Sequence, residues 1–163
     1  MWWIASGVVL LGVLCLIPAG VWLRRSYRAS AFARARRDFH LKREYLEAKF
    51  FELAAGSGKP RGLEWTACEF EDEVAYARDR QTAELAALVG ITISFSAIEG
   101  GGMEHVEAVG NLRAATAVFQ FREGKWRTDG RAIFNLNPTE AIRHFQSSLE
   151  MVARDQAGRV SAP

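Results

Sequence analysis

The chain has 163 residues, with 21 Lys and Arg against 19 Asp and Glu, which leaves room for one modest domain. The formal charge of +2 is unevenly spread: residues 2–23 carry none, residues 24–43 carry eight basic groups against Asp38 alone, and residues 63–163 carry ten basic against fifteen acidic groups. An apolar content of 49% excludes a disordered chain, two cysteines exclude a disulfide framework, and the acidic C-terminal part excludes a wholly basic nucleic-acid binder.

Of the 22 residues from Trp2 to Leu23, 17 are apolar and the rest are Gly, Ser or Pro. As a helix this run extends roughly 33 Å, enough for a hydrocarbon core of about 30 Å. Trp2 and Trp3 at one end and Trp22 at the other suit the two interfaces, and Arg24, Arg25 and Arg28 follow. The run therefore predicts an N-terminal transmembrane helix over 1–23, with the lipid bilayer as its first partner. A cleaved signal peptide would need a basic region before a shorter apolar core, and nothing basic precedes Trp2 except the amino terminus. With the nearby Lys and Arg all on the C-terminal side, the rest of the chain is expected in the cytoplasm.

Residues 24–38 predict a basic helical stalk, whose arginines have two readings that leave the same string: contact with anionic lipid headgroups, or a topology signal on a solvated face. Phe32, Phe39, Leu46, Phe50 and Leu53 recur at helical spacing, so the helix continues and docks on the domain, which is expected over 39–153. Gly56-Ser57-Gly58-Lys59-Pro60 ends it as a linker; Leu53 and Pro60 stand where a phosphate-binding loop needs Gly and Ser or Thr.

From Leu63 the period changes to two. An irregular strand over 63–78 turns through Asp79–Thr82 into 83–98, where Val89, Ile91, Ile93 and Phe95 alternate with small or polar residues. Ala115–Phe121 follows, then a tight turn at Arg122-Glu123-Gly124-Lys125 and a returning strand to Leu136 with a bulge at Asp129-Gly130. Asn137, Pro138 and Glu140 mark the start of a short helix whose buried face would carry Ile142, Phe145, Leu149 and Val152, and residues 154–163 read as a flexible tail. The expected fold is thus α+β: membrane helix and stalk, then a four-stranded antiparallel meander packed on a long helix, closed by a short C-terminal helix. This order, with Gly124-Lys125-Trp126 in the final hairpin, resembles the cystatin-like folds and the nuclear-transport-factor-2-like domains within them. The resemblance implies a curved sheet wrapped round one long helix, hung from the membrane in an assembly role.

No catalytic, cofactor-binding or metal-binding set emerges. His105 and Glu107 on a strand would supply two ligands, fewer than zinc needs, and the acidic run Glu69, Glu71, Asp72, Glu73 lacks calcium-loop spacing. Cys68 has no local His and reads as a core or boundary cysteine. Trp65, Tyr76 and Trp126, with His105 and Asp129 as polar groups, are the candidate lining of a pocket between sheet and helix; as strand aromatics they equally suit cross-strand packing. Two functions follow: a protein-interaction or self-association module at a membrane, without nucleic acid, or a small-ligand binder or simple acid–base enzyme using that pocket.

Overall fold

A computed structural model describes residues 27–57, 60–103, 105–106 and 110–156, and the helical backbone of 2–26. Helix α1 (Trp2–Gly56) belongs to two compact units, Met1–Asp38 and Phe39–Pro163. In the first unit Tyr27 and Arg28 are exposed, and Ser30 donates from Oγ to the Tyr27 carbonyl at 2.9 Å. Trp2, Trp3, Trp22, Arg24 and Arg25 lie outside the residues whose side chains are described.

The second unit contains the end of α1, strands β1 (Leu63–Asp79), β2 (Leu85–Ala97), β3 (Arg113–Arg122), β4 (Lys125–Arg127) and β5 (Ala132–Phe134), helix α2 (Pro138–His144) and strand β6 (Leu149–Gln156). The sheet is antiparallel throughout, in the order β4-β3-β2-β1-β6, with β5 also paired to β3.

Three features correct the expected fold. The sheet has six strands, not four. The extra ones arise because the returning strand splits into β4 and β5, and because the segment expected to continue the C-terminal helix is β6. Helix α2 ends at His144, and the Leu149 amide donates to the Phe145 carbonyl at 2.8 Å as the chain reverses. Leu149–Gln156 then supplies the hydrogen bonds that the outer edge of β1 would otherwise lack, which outweighs the helical spacing of Ile142, Phe145, Leu149 and Val152. Third, among the described residues no helix is long and apolar enough to cross a membrane; the run 2–23 that carried that expectation lies outside the residues whose side chains are described.

Phe39, Leu46, Phe50 and Ala54 of α1 are all buried against the first face of the sheet. Phe39 meets Tyr76, Phe119 and Trp126 edge-on, at centroid distances of 6.1, 5.4 and 4.9 Å, and Phe50 meets Trp65, Phe70 and Phe119 at 6.3, 5.8 and 5.8 Å. On the second face Ala75, Ala77 and Leu88 pack with Ala141 and Ile142 of α2. Asn137 caps α2 by accepting from the Glu140 amide at 2.9 Å, while Glu140 accepts from the Asn137 amide at 3.1 Å, a reciprocal capping box.

β1 is long and irregular. Between Phe70 and Val74 its register against β2 slips, so the ladder does not use the Glu71 and Asp72 carbonyls. Arg43 of α1 takes them: its Nη1 donates to Asp72 O at 3.0 Å and its Nη2 to Glu71 O, while Nε donates to Glu47 Oε1 at 2.6 Å. Pairing with β6 begins only at Glu73, so the acidic run sits largely where β1 has a bare edge, a placement that discourages edge-to-edge pairing.

The β3–β4 turn has positive φ at both central residues, Glu123 at 52° and Gly124 at 74°. That is the I′ pattern, which favours Asn-Gly. Glu123→Asn is expected to stabilise the domain by about 0.5–1 kcal/mol, read as a higher urea midpoint at unchanged slope. At the β1–β2 turn Asp79 Oδ1 accepts from the Gln81 and Thr82 amides, both at 2.8 Å, and these hydrogen bonds, that from Thr82 foremost, hold its carboxyl below the usual range.

Candidate functional site

The five residues expected to line a pocket do not form one site. Trp65 and Tyr76 both lie on the α1 face of β1, but in separate clusters. Trp65 is buried among Phe50, Phe51, Phe95 and Phe134. Tyr76 is fully buried 6.3 Å from Trp126, and Trp126 also contacts Phe39 and Phe121. Only Tyr76 and Trp126 are thus brought together, and the space beside them holds the Phe39 and Phe119 rings. His105 is exposed on the β2–β3 loop, and Glu107 lies outside the described residues. Asp129 is exposed too; its Oδ1 accepts from the Arg131 amide at 3.1 Å and closes a local turn.

A polar cluster that the sequence reading missed lies beside Tyr76. His40 Nε2 is 3.0 Å from Asp155 Oδ2 and 3.5 Å from the Tyr76 hydroxyl. Asp155 is buried, with its side chain 6% exposed, whereas the His40 side chain is 32% exposed. The pair links α1 to β6 across 115 residues of sequence. Its one local signal is that His40 follows Phe39 in the apolar stripe; Asp155 falls in the segment 154–163, whose sequence reads as a tail.

Cys68 is half-buried on β1. Burial, and to a lesser degree the nearby Glu47 carboxylate, push its thiol up to about 12. The thiol therefore stays protonated at neutral pH, whereas an ordinary cysteine already has appreciable thiolate near pH 8. Cys68 is expected to react with maleimide at pH 7.5 far more slowly than it does in urea; equal rates by mass spectrometry would contradict its placement. No group of three or more metal-ligating side chains occurs among the described residues.

The second face of the sheet is open where α2, only seven residues long, stops covering it. A cleft of about 230 Å³ lies there, floored by Ala86, Leu88, Val118 and Ile133 and walled by Phe145 and Leu149. Its polar rim holds Asp79, Glu84, Gln120, Arg122, Arg131 and Ser148. Arg122 Nε donates to Glu84 Oε2 at 3.0 Å, and Asp79 is occupied by its turn amides. The Arg131 guanidinium makes no ion pair among the described residues.

A more polar groove of about 510 Å³ runs between α2 and the β1 bulge, lined in part by Glu71, Glu73, Arg143 and Arg154. Arg154 is engaged there by Glu73 at 2.8 Å and by the Thr139 hydroxyl at 2.5 Å. No family model, no curated protein and no solved structure matches the chain.

Proposed function

We propose that the Phe39–Pro163 unit is a protein-interaction or assembly module held at a membrane by the apolar stretch 2–23. The observation that carries this reading is the outward side of α1, where Leu41 is 80% and Tyr45 69% exposed. Residues four apart share a helix face, so these two large apolar groups make one solvent-facing stripe. Single exposed apolar residues are ordinary, but adjacent ones opposite a well-packed core face suit a docking partner or a second copy. The helix–sheet interior is filled by aromatic rings, which favours recognition on the outside over a ligand held between helix and sheet.

The tether reading rests on the sequence of residues 2–23 and the collar of Arg24, Arg25 and Arg28, whose charge suits anionic headgroups. It places the domain in the cytoplasm. In a Cys68→Ser background, a cysteine introduced at exposed Thr82 should react with an impermeant thiol reagent only after lysis; labelling of intact cells would reverse the orientation.

The docking reading is tested by a photocrosslinking residue at Leu41 or Tyr45 of the full-length chain in its own membrane, with Glu52 as the polar comparison. One discrete crosslinked product from 41 and 45, absent from 52 and lost when the other stripe residue becomes Glu, is the expected result. Identical crosslinking from all three positions, or none from 41 and 45, would refute it.

A further inference from the structure

The cleft on the second face differs in kind from the α1 stripe. It is concave and enclosed by three parts of the chain: the β1–β2 turn, the α2–β6 turn and the β5 side of β3. At about 230 Å³ it falls below the size of drug-sized ligand sites, so its occupant is a small molecule rather than a helix or strand.

Its charges define that molecule further. Arg131 and Val118 share a row of the sheet, since the Val118 amide donates to the Arg131 carbonyl at 3.1 Å. Asp79, Glu84 and Arg122 sit at the other end, four β3 residues away, or about 13 Å along the strand. At that end the carboxylates already hold donors: Asp79 Oδ1 accepts from two backbone amides and Glu84 Oε2 from Arg122. A cationic ligand would compete there with Arg122 for Glu84. At the near end the Arg131 guanidinium is a planar fork of donors beside an apolar floor. One guanidinium fork matches one carboxylate in bidentate fashion. A phosphate dianion would find one guanidinium outside an ion pair, because Arg122 is held by Glu84, so a singly charged anion suits the site better.

We propose that this cleft binds a small amphipathic monocarboxylate, its carboxylate paired with Arg131 and its hydrocarbon part lying on Leu88, Val118, Ile133 and Phe145. Gln120 lines the opening midway between Val118 and Arg122, beside the path of the bound chain. This site stands independently of the docking stripe on α1.

The probe is 3-phenylpropionate, titrated calorimetrically into the full-length chain in lipid nanodiscs, with heats into protein-free discs subtracted. Saturable one-site binding is expected, with 3-phenylpropanol and 3-phenylpropylamine each at least tenfold weaker. Arg131→Gln should weaken the carboxylate roughly 10- to 100-fold and leave the alcohol unchanged, while Arg131→Lys should fall between, because it keeps the charge and loses the fork. Gln120→Trp should abolish binding by filling the cleft from its rim. Arg131 and Gln120 lie at the cleft mouth, and matching circular dichroism spectra establish that the variants fold. The proposal is overturned if neither 3-phenylpropionate nor hexanoate binds saturably, if the alcohol binds as tightly as the acid, or if Arg131→Gln or Gln120→Trp leaves the affinity unchanged.

Discussion

Gly130→Ala should be among the most damaging single-methyl additions to this protein, costing about 2–5 kcal/mol. Gly130 lies between β4 and β5, where four residues, 128–131, oppose only Val118 and Phe119 of β3 and the chain bows out of the ladder. Two independent constraints meet there. Its φ of +73° costs a residue with a side chain about 1–2 kcal/mol. A Cβ would also stand 2.6 Å from the Ala54 amide nitrogen, 2.8 Å from the Leu53 carbonyl carbon and 2.9 Å from Leu53 Cβ. Most of these are atoms of the α1 backbone, which cannot rotate away as a side-chain tip can, so the helix must lift; overpacking of this kind costs a further 1–3 kcal/mol or so. Gly124→Ala separates the two contributions. That position has a φ of +74° and nothing within 4 Å of the added carbon, so the backbone cost alone applies. Urea unfolding followed by tryptophan fluorescence should show Gly130→Ala losing clearly more than Gly124→Ala. Equal losses would mean that α1 does not press on this bulge.

The second large effect is expected at Phe39. Its ring is fully buried and contacts Tyr76, Phe119 and Trp126, so it joins β1, β3 and β4 to the helix. Phe39→Ala removes the ring and leaves a cavity that these rigid aromatic neighbours cannot easily fill, with an expected loss of about 3–5 kcal/mol. Leu41→Ala, two residues along the same helix and 80% exposed, should change stability by no more than about 0.5 kcal/mol. The contrast tests whether residues 39–54 are an integral part of the domain's core. If the two variants unfold at the same urea concentration, the helix does not occupy the sheet's first face.

What could be read from the sequence was whatever local spacing determines. The alternation of Val89, Ile91, Ile93 and Phe95 specifies one buried face of a strand, and all four are buried. Asn137, Pro138 and Glu140 carry their own capping geometry within four residues. The pocket candidates failed for a different reason. Trp65 and Tyr76 are eleven positions apart, an odd interval that in a regular strand puts them on opposite faces. The register slips between Trp65 and Ala67 and between Phe70 and Val74 return both to the α1 face, yet at distances that prevent a shared site. Such irregularities depend on Arg43 and on the neighbouring strands, so no window of β1 alone announces them. The His40–Asp155 pair was hidden by its sequence separation, and β6 by a coincidence of periods: Leu149 and Val152 fit a helical stripe as well as they fit an extended strand.

The place of β6 has a consequence for biosynthesis. Its partner is not its neighbour in the chain but β1, with β2 through α2 emerging between them. A nascent chain can therefore pair β1 with β2 and β2 with β3 while one side of β1 waits for the last strand, and long-range closure of this kind is slow. Until Leu149–Gln156 has left the ribosome, the Val74–Asp79 stretch of β1 keeps an unsatisfied row of amides and carbonyls and is open to pairing with other chains. Deletion of Leu149–Gln156 would thus be more harmful than loss of an equally long loop, and the sheet can close only once this strand has been made.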